Sequence, residues 1–262
     1  MPMRMSTIAI AVGAALAATP APAADGEILI NQAEVNAGSI TPGAAAGYPA
    51  TLSRAGRYKL TGNLTVPAGQ IGIQVTENDV TVDLNGFTIR SASPGQPGIG
   101  VFGVPTDANR LRLMNGTITG FGDFGVSNRQ SFGAESAIIE NMRIVANRAG
   151  IFIGPGAQIR DSTLANSEGS NISCVKNCLI EGNVIARAGG AGIAMTGGKV
   201  LGNVIVANTL WGLAADVTPI GFGNNILVGN NSGGAQVAGP VIQLHPNGLR
   251  AGLPVISQAP IF

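Results

Sequence analysis

The sequence predicts an all-β fold, a single-stranded parallel β-helix (solenoid) of about seven coils with irregular caps at both ends. Three observations predict it. First, an Asn or Asp precedes an aliphatic pair at Asn85, Asn115, Asn141, Asp161, Asn183, Asn203 and Asn225, with gaps of 30, 26, 20, 22, 20 and 22 residues. Second, a Gly-aliphatic landmark follows in register, at Gly98-Ile99, Gly125-Val126, Gly150-Ile151, Gly192-Ile193 and Gly212-Leu213; Asn171-Ile172 stands in its place once, and the last copy keeps Gly234 before Ala235. Third, the apolar runs are two to four residues long, rich in Ile and Val, and broken by Gly, Asn and Ser. A helix needs about 10 to 12 periodic residues. Short strands, about three per repeat, instead describe one turn of a parallel β-helix. Each strand then pairs with its equivalent one coil away, at about 4.8 Å, and like side chains stack.

Residues 1–23 read as a secretory signal peptide: Arg4, an apolar segment over 8–18, and Ala21-Pro22-Ala23 as the small-residue site, with cleavage after Ala23. The apolar segment is shorter than the roughly 20 residues of a spanning helix. The mature protein is therefore expected to be secreted or periplasmic, without membrane insertion. Residues 24–57 form the N-terminal cap, with a strand over 27–31 and a Gly/Ala/Pro loop over 38–49. The β-helix occupies 58–237. In its first coil Val80, Val82 and Leu84 alternate with polar residues and point inward, as do Leu111, Leu113 and Ile118 in the next. The longer early gaps place loops at 91–97, 105–108 and 128–133. The clearest copies lie in 138–231. Asn147, Asn166, Asn208, Asn230 and Asn231, five or six residues past their anchors, suit an axial amide ladder or tight left-handed turns. Residues 238–262 lose the repeat, gain prolines, and read as the C-terminal cap.

Composition agrees. Gly supplies 39 of 262 residues and aromatics only 4%, so aliphatics build the core of a chain that turns every few residues. Without Arg4 the remaining 14 basic residues balance 14 acidic ones. That balance argues against nucleic acid or an anionic membrane surface as partner.

The run Asp83-Leu84-Asn85-Gly86-Phe87-Thr88-Ile89, then Asn115-Gly116-Thr117-Ile118 and copies of N-x-I-x-x-N-x-x-G-I, resembles bacterial right-handed parallel β-helix proteins of the pectin-lyase-like superfamily. The resemblance spans roughly residues 50–235. It implies a right-handed coil, and polysaccharide as a partner class, since the superfamily includes pectate lyases, polygalacturonases and alginate epimerases. Its catalytic signatures are missing. The polygalacturonase-like Asn-Thr-Asp, Asp-Asp and Gly-His-Gly motifs do not occur, and neither do Trp-x-Asp-His or Arg-x-Pro-x-x-Arg. No family site residue transfers to any position.

Chemistry must then be sought in the residues themselves. Glu140, Asp161 and Glu181 fall near the anchor on three successive coils, with Arg143, Arg160 and Arg187 close in register. A lyase would need such carboxylates to supply the about six to eight oxygens of Ca²⁺, plus a base. The same residues also read as ion-pair rungs on a solvated sheet: Glu140 with Arg160, Arg148 with Glu168, Asp79 with Arg110. His245, the only histidine, has no triad partners. Trp211 is the aromatic singled out for sugar binding, while Phe121, Phe124 and Phe152 look scattered. Cys174 and Cys178 stay open between a disulfide and two small buried residues. On a straight strand their Cα atoms would lie about 13 Å apart, beyond the roughly 7 Å limit, so a bridge needs a turn at Lys176-Asn177. No metal site is predicted, because third and fourth ligands are lacking. Asn63, Asn115 and Asn171 match the glycosylation triplet by chance frequency of Asn.

Three functions follow. The first is a non-catalytic binding or surface module for carbohydrate or the cell envelope, without cofactor. The second is a small polysaccharide lyase or related enzyme, the one reading that calls for Ca²⁺. The third is a structural cell-surface spacer.

Overall fold

The computed structural model describes residues 26–104, 110–128 and 137–250. The expected signal peptide and the end of the expected C-terminal cap lie outside the described residues. The chain is nearly all β and winds as a parallel solenoid of about eight turns. Each coil lays down three short strands, one in each of three rows. Row A contains Glu27–Ile30, Gly56–Leu60, Val80–Asp83, Gln158–Arg160, Cys178–Glu181, Gly198–Leu201, Ile220–Gly223 and Val241–Gln243. Row B contains Leu64–Val66, Thr88–Ser91, Thr163–Ala165, Val184–Ala186, Val204–Val206, Ile226–Val228 and Gly248–Arg250. The long strands Arg112–Thr119 and Ile138–Val145 bend through the corner and serve both rows. Row C runs from Ala50–Leu52 to Val237–Ala238 as a nine-stranded sheet.

The repeat builds the core directly. Equivalent residues pair in parallel, so one aliphatic per row per coil stacks along the axis. Row A stacks Tyr58, Val82, Leu113, Ile139, Ile159, Ile180, Val200 and Phe222. Row B stacks Leu64, Ile89, Ile118, Ile144, Leu164, Ile185, Ile205 and Leu227. Row C stacks Ile73, Val101, Val126, Ile151, Ile172, Ile193 and Leu213. All are fully buried. Truncating one to Ala costs about 2–5 kcal/mol.

The parallel pairing reaches past 58–237 in both directions. Glu27–Ile30 pairs with Arg57 to Leu60, and Ala50–Leu52 with Ile73 to Val75. Within the expected N-terminal cap lies one helix, Gln32–Ala37, started by Asn31, whose Oδ1 accepts from the Ala33 and Glu34 amides at 3.0 and 3.1 Å. It lays Val35 against the core. At the other end Val241–Gln243 and Gly248–Arg250 continue rows A and B.

The anchor residues prove to be two classes offset by one place. Asn115, Asn141 and Asp161 occupy the corner between rows A and B with φ of 62, 51 and 51°. They are followed in that column by Gly182, Gly202 and Asn224. Asn183, Asn203 and Asn225 sit one residue further on, inside the coil and at most 1% exposed. Both places favour Asn, for different reasons: the outer one needs a left-handed backbone, the inner one a side chain that bonds along the axis. The Ser162 amide donates to Asn183 Oδ1 at 3.0 Å. The Asn183, Asn203 and Asn225 amides each donate to the next Oδ1 at 2.9 Å, ending on Asn247. Each Nδ2 of Asn183 and Asn203 also bonds backbone carbonyls of two strands.

A second amide ladder fills the corner between rows B and C and accounts for the Gly-aliphatic landmark. The Ala188 and Asn208 amides donate to Asn208 and Asn230 Oδ1 at 2.9 and 3.0 Å. A Cβ on Gly125, Gly192 or Gly212 would lie 2.8 Å from Nδ2 of Asn147, Asn208 or Asn230. At these three places the glycine is required by the asparagine of the next coil, whereas at Gly150 a Cβ would meet the Asn171 carbonyl oxygen. Where that column holds Ala188 instead, the glycine place is taken by Asn171, whose Nδ2 donates to the Ala186 carbonyl at 2.9 Å. Asn166 and Asn231, expected in the same set, are turn residues with φ of 59 and 51°.

Replacing Asn203 by Ala strips partners from buried groups on both neighbouring coils. We expect a loss of about 2–5 kcal/mol in unfolding free energy, read by chemical denaturation. Asn141→Ala, on the outer column, is expected to cost less, about 1 kcal/mol, the strain of an alanine held at positive φ. Equal losses would show that the inner ladder is not what holds the corner.

Candidate functional site

Row A brings some of the sequence candidates together and separates others. Glu140 lies opposite Arg160, and Arg160 opposite Glu181. Asp161 stands one place aside, in the left-handed corner column between Asn141 and Gly182. The proposed carboxylate line is thus Glu140, Arg160, Glu181, with a guanidinium in its middle. Arg112 Nε and Arg160 Nε donate to the two oxygens of Glu140 at 2.6 and 2.8 Å. The Glu140 carboxyl is pushed up by partial burial, but the hydrogen bonds from Arg160 and Arg112 outweigh this and hold it below the usual carboxylate range. A carboxylate so engaged and so acidified is a poor base toward a substrate proton. Among the described residues no group of three or more His, Cys, Asp and Glu is placed to hold a metal ion.

The other candidates are dispersed. Arg143 is exposed on row B, in one column with Thr117 and Thr163. Arg187 lies beyond the far end of row B, at φ 52°, and donates to Asn166 Oδ1 at 2.7 Å. Trp211 is half-buried at the corner between rows B and C, beside the exposed Leu210, and its carbonyl accepts from the Gly192 amide at 2.9 Å. Cys174 ends a row C strand and Cys178 begins the next row A strand. They are joined by a disulfide with Cα atoms 6.4 Å apart, across a turn in which Asn177 has φ 54°. Asp79 pairs with Arg110 at 2.5 and 2.7 Å, as the strand alignment predicts. Arg148 does not pair with Glu168. It turns to the preceding coil and approaches Asp123 at 3.8 Å.

That turn opens a cleft that the sequence reading missed. Asp123, Phe124, Arg148, Ala149, Glu168 and Gly169 line it, from three successive coils at the start of row C. Asp123 is anchored by the Gly98 amide, which donates to its Oδ2 at 3.0 Å. Glu168 is exposed. The Phe124 ring stacks on Phe152, with centroids 5.6 Å apart and planes at 29°. The pairing has a backbone cause. Phe124 is opposite Ala149, and Phe152 comes three residues later. On an alternating strand those places would face opposite ways. Here two consecutive inward residues, Gly150 and Ile151, break the alternation, so the first and fourth places share the outer face.

No family model matches the chain, and no curated protein matches it. Among solved structures it is similar to the A-module of the mannuronan C-5 epimerase AlgE4 of Azotobacter vinelandii, with a TM-score of 0.56 and 15% identity over 85% of this chain and 74% of that one. The AlgE6 A-module of the same organism gives a TM-score of 0.56 and 16% identity, over 85% and 73%. At this identity the likeness is one of fold. The chain is a parallel β-helix repeat protein. Neither comparison moves any site residue onto it.

Because Glu140 has a lowered pKa, its ion pairs stabilise the fold above its ordinary titration range and are lost as pH falls through the folded value. Glu140→Gln is expected to cost about 1 kcal/mol at pH 7. The difference from the wild type should shrink in acid below about pH 4, the ordinary carboxylate range, and vanish only once the pH has fallen through the lowered folded value. Melting curves at both pH values check this; a constant difference would mean that the carboxylate charge is not what stabilises.

Proposed function

We propose that this protein is an exported, non-catalytic β-helix that binds carbohydrate in the cleft at the start of row C. The observation that carries the reading is the Phe124 ring, held by Phe152 and flanked by Asp123, Arg148 and Glu168. An aromatic face packs against the C–H face of a pyranose, while carboxylates accept and a guanidinium donates to ring hydroxyls. Successive coils space these groups at about 4.8 Å along the axis, which suits an extended polymer. The named activity of the two epimerases, on mannuronan, agrees with a polysaccharide partner. Export rests on the signal-like residues 1–23 and agrees with a disulfide in the mature chain. A non-catalytic role is supported by Glu140, whose oxygens are occupied by two arginines.

Mature protein is to be run through gels containing alginate, pectate or a neutral glucan, with a spectrophotometric assay for unsaturated ends in parallel. Retardation on at least one glycan without new absorbance is expected. Phe124→Ala should weaken binding about tenfold, the worth of one stacked ring. Retardation on none would favour a structural spacer, and turnover would restore the lyase reading.

A further inference from the structure

We infer that the edge between rows A and B is a second glycan-contacting surface, so that one molecule bridges two glycan chains. The inference rests on the carbohydrate reading above and adds a site to it. In a coil of three rows, this edge and the cleft at the start of row C lie on either side of row B. It carries an outer amide ladder distinct from the buried ones: Asn115 Nδ2 donates to Asp83 Oδ1 at 3.0 Å, and Asn141 Nδ2 donates to Asn115 Oδ1 at 2.8 Å. The ladder stops there. The next residue in the column is Asp161, and two acceptors meet, the Asn141 carbonyl and the Asp161 carboxylate, neither able to donate to the other. The next two places in the column, Gly182 and Gly202, carry no side chain, and Asn224 follows them.

Alongside runs the outward column of row B, Thr117, Arg143 and Thr163, and together these residues line a groove. One coil further that column turns apolar, with Val184 43% and Ile226 49% exposed. The polar groups are thus confined to a few coils and do not cover the face generally. Arg143 forms no ion pair among the described residues, whereas the neighbouring Arg112 and Arg160 are both spent on Glu140. The groove therefore offers one open guanidinium, two hydroxyls and two acceptors over about 10 Å, two coil spacings. A hydroxyl-rich chain bearing an acidic group matches this: the guanidinium forks onto carboxylate or sulfate, and Asn141 and Asp161 accept from adjacent hydroxyls.

A short ligand lying along the axis in one groove fills only that corner, whereas two polymers can occupy the two corners that flank row B and be joined by one molecule. The test uses the full mature chain, its mass first fixed by sedimentation. Calorimetry with short uronate and short sulfated oligosaccharides reads stoichiometry, and light scattering with the corresponding long chains reads bridging. We expect two sites per chain and growth of large particles. Arg143→Ala should leave one site and abolish bridging, while Arg143→Lys should recover part of it. Phe124→Ala should weaken the other site about tenfold and suppress bridging to match. The oligosaccharide lost in Arg143→Ala identifies carboxylate or sulfate as the acidic group. One site in the wild type, weakened by Phe124→Ala and untouched by Arg143→Ala, would overturn this inference alone. Bridging retained in Arg143→Ala would also overturn it. No binding by the wild type would overturn the carbohydrate reading as well.

Discussion

Axial repetition is the constraint on which everything else in this molecule depends. Each strand finds its hydrogen-bond partners only in the coil above and the coil below, so each coil must present its backbone at the same height and angle as its neighbours. Aliphatic columns satisfy the interior of the three rows. Corners are harder, because a bending chain leaves amides and carbonyls pointing inward, away from water. The two buried asparagine ladders solve this: a primary amide carries donors and an acceptor, and so satisfies backbone in its own coil and the next.

The ladders in turn dictate residues that do no bonding. At Gly125, Gly192 and Gly212 a glycine precedes the inward aliphatic of row C because the next coil's asparagine occupies the space of its Cβ. Coil by coil the exchange is visible. Where Ala188 vacates the ladder, Asn171 replaces the glycine and supplies an amide from the other side, bonding the Ala186 carbonyl and approaching Asn208 Oδ1 at 3.4 Å. The same two-residue inward step turns the first and fourth residues of a row C strand outward together, and this is what sets Phe124 against Phe152.

Outside, the three rows diverge. Row A is an ion-pair surface in which arginines neutralise Glu140, and Glu27 lies between Arg57 and Lys59. Row B passes from threonine and arginine to valine and isoleucine. Row C begins with the cleft and its aromatic pair. Because the backbone is uniform, the chemistry of each face is decided by single residues at outward places, which stacking does not restrict. Such a scaffold accepts new surface chemistry without refolding, and a shared fold at 15% or 16% identity is the consequence.

The period, the inward aliphatics and the solenoid class were legible in the chain itself, because one residue pattern is imposed on every coil by the same hydrogen bonding. The Glu140–Arg160 and Asp79–Arg110 neighbours were legible for the same reason, being simple consequences of a repeat length. Three things were not. The outer and inner asparagines look alike in sequence, so a line drawn near the anchors through Glu140, Asp161 and Glu181 mixed two adjacent columns that the structure separates. Arg148 had carboxylates on both adjacent coils, and only side-chain geometry chose Asp123 over Glu168. Phe124 and Phe152 differ by more than one repeat, and their meeting depends on a break in strand alternation. The sequence by itself thus determined which residues face the axis, since the backbone period enforces it; tertiary structure alone decided which outward side chains meet, since that turns on single-residue offsets and rotamers that no period records.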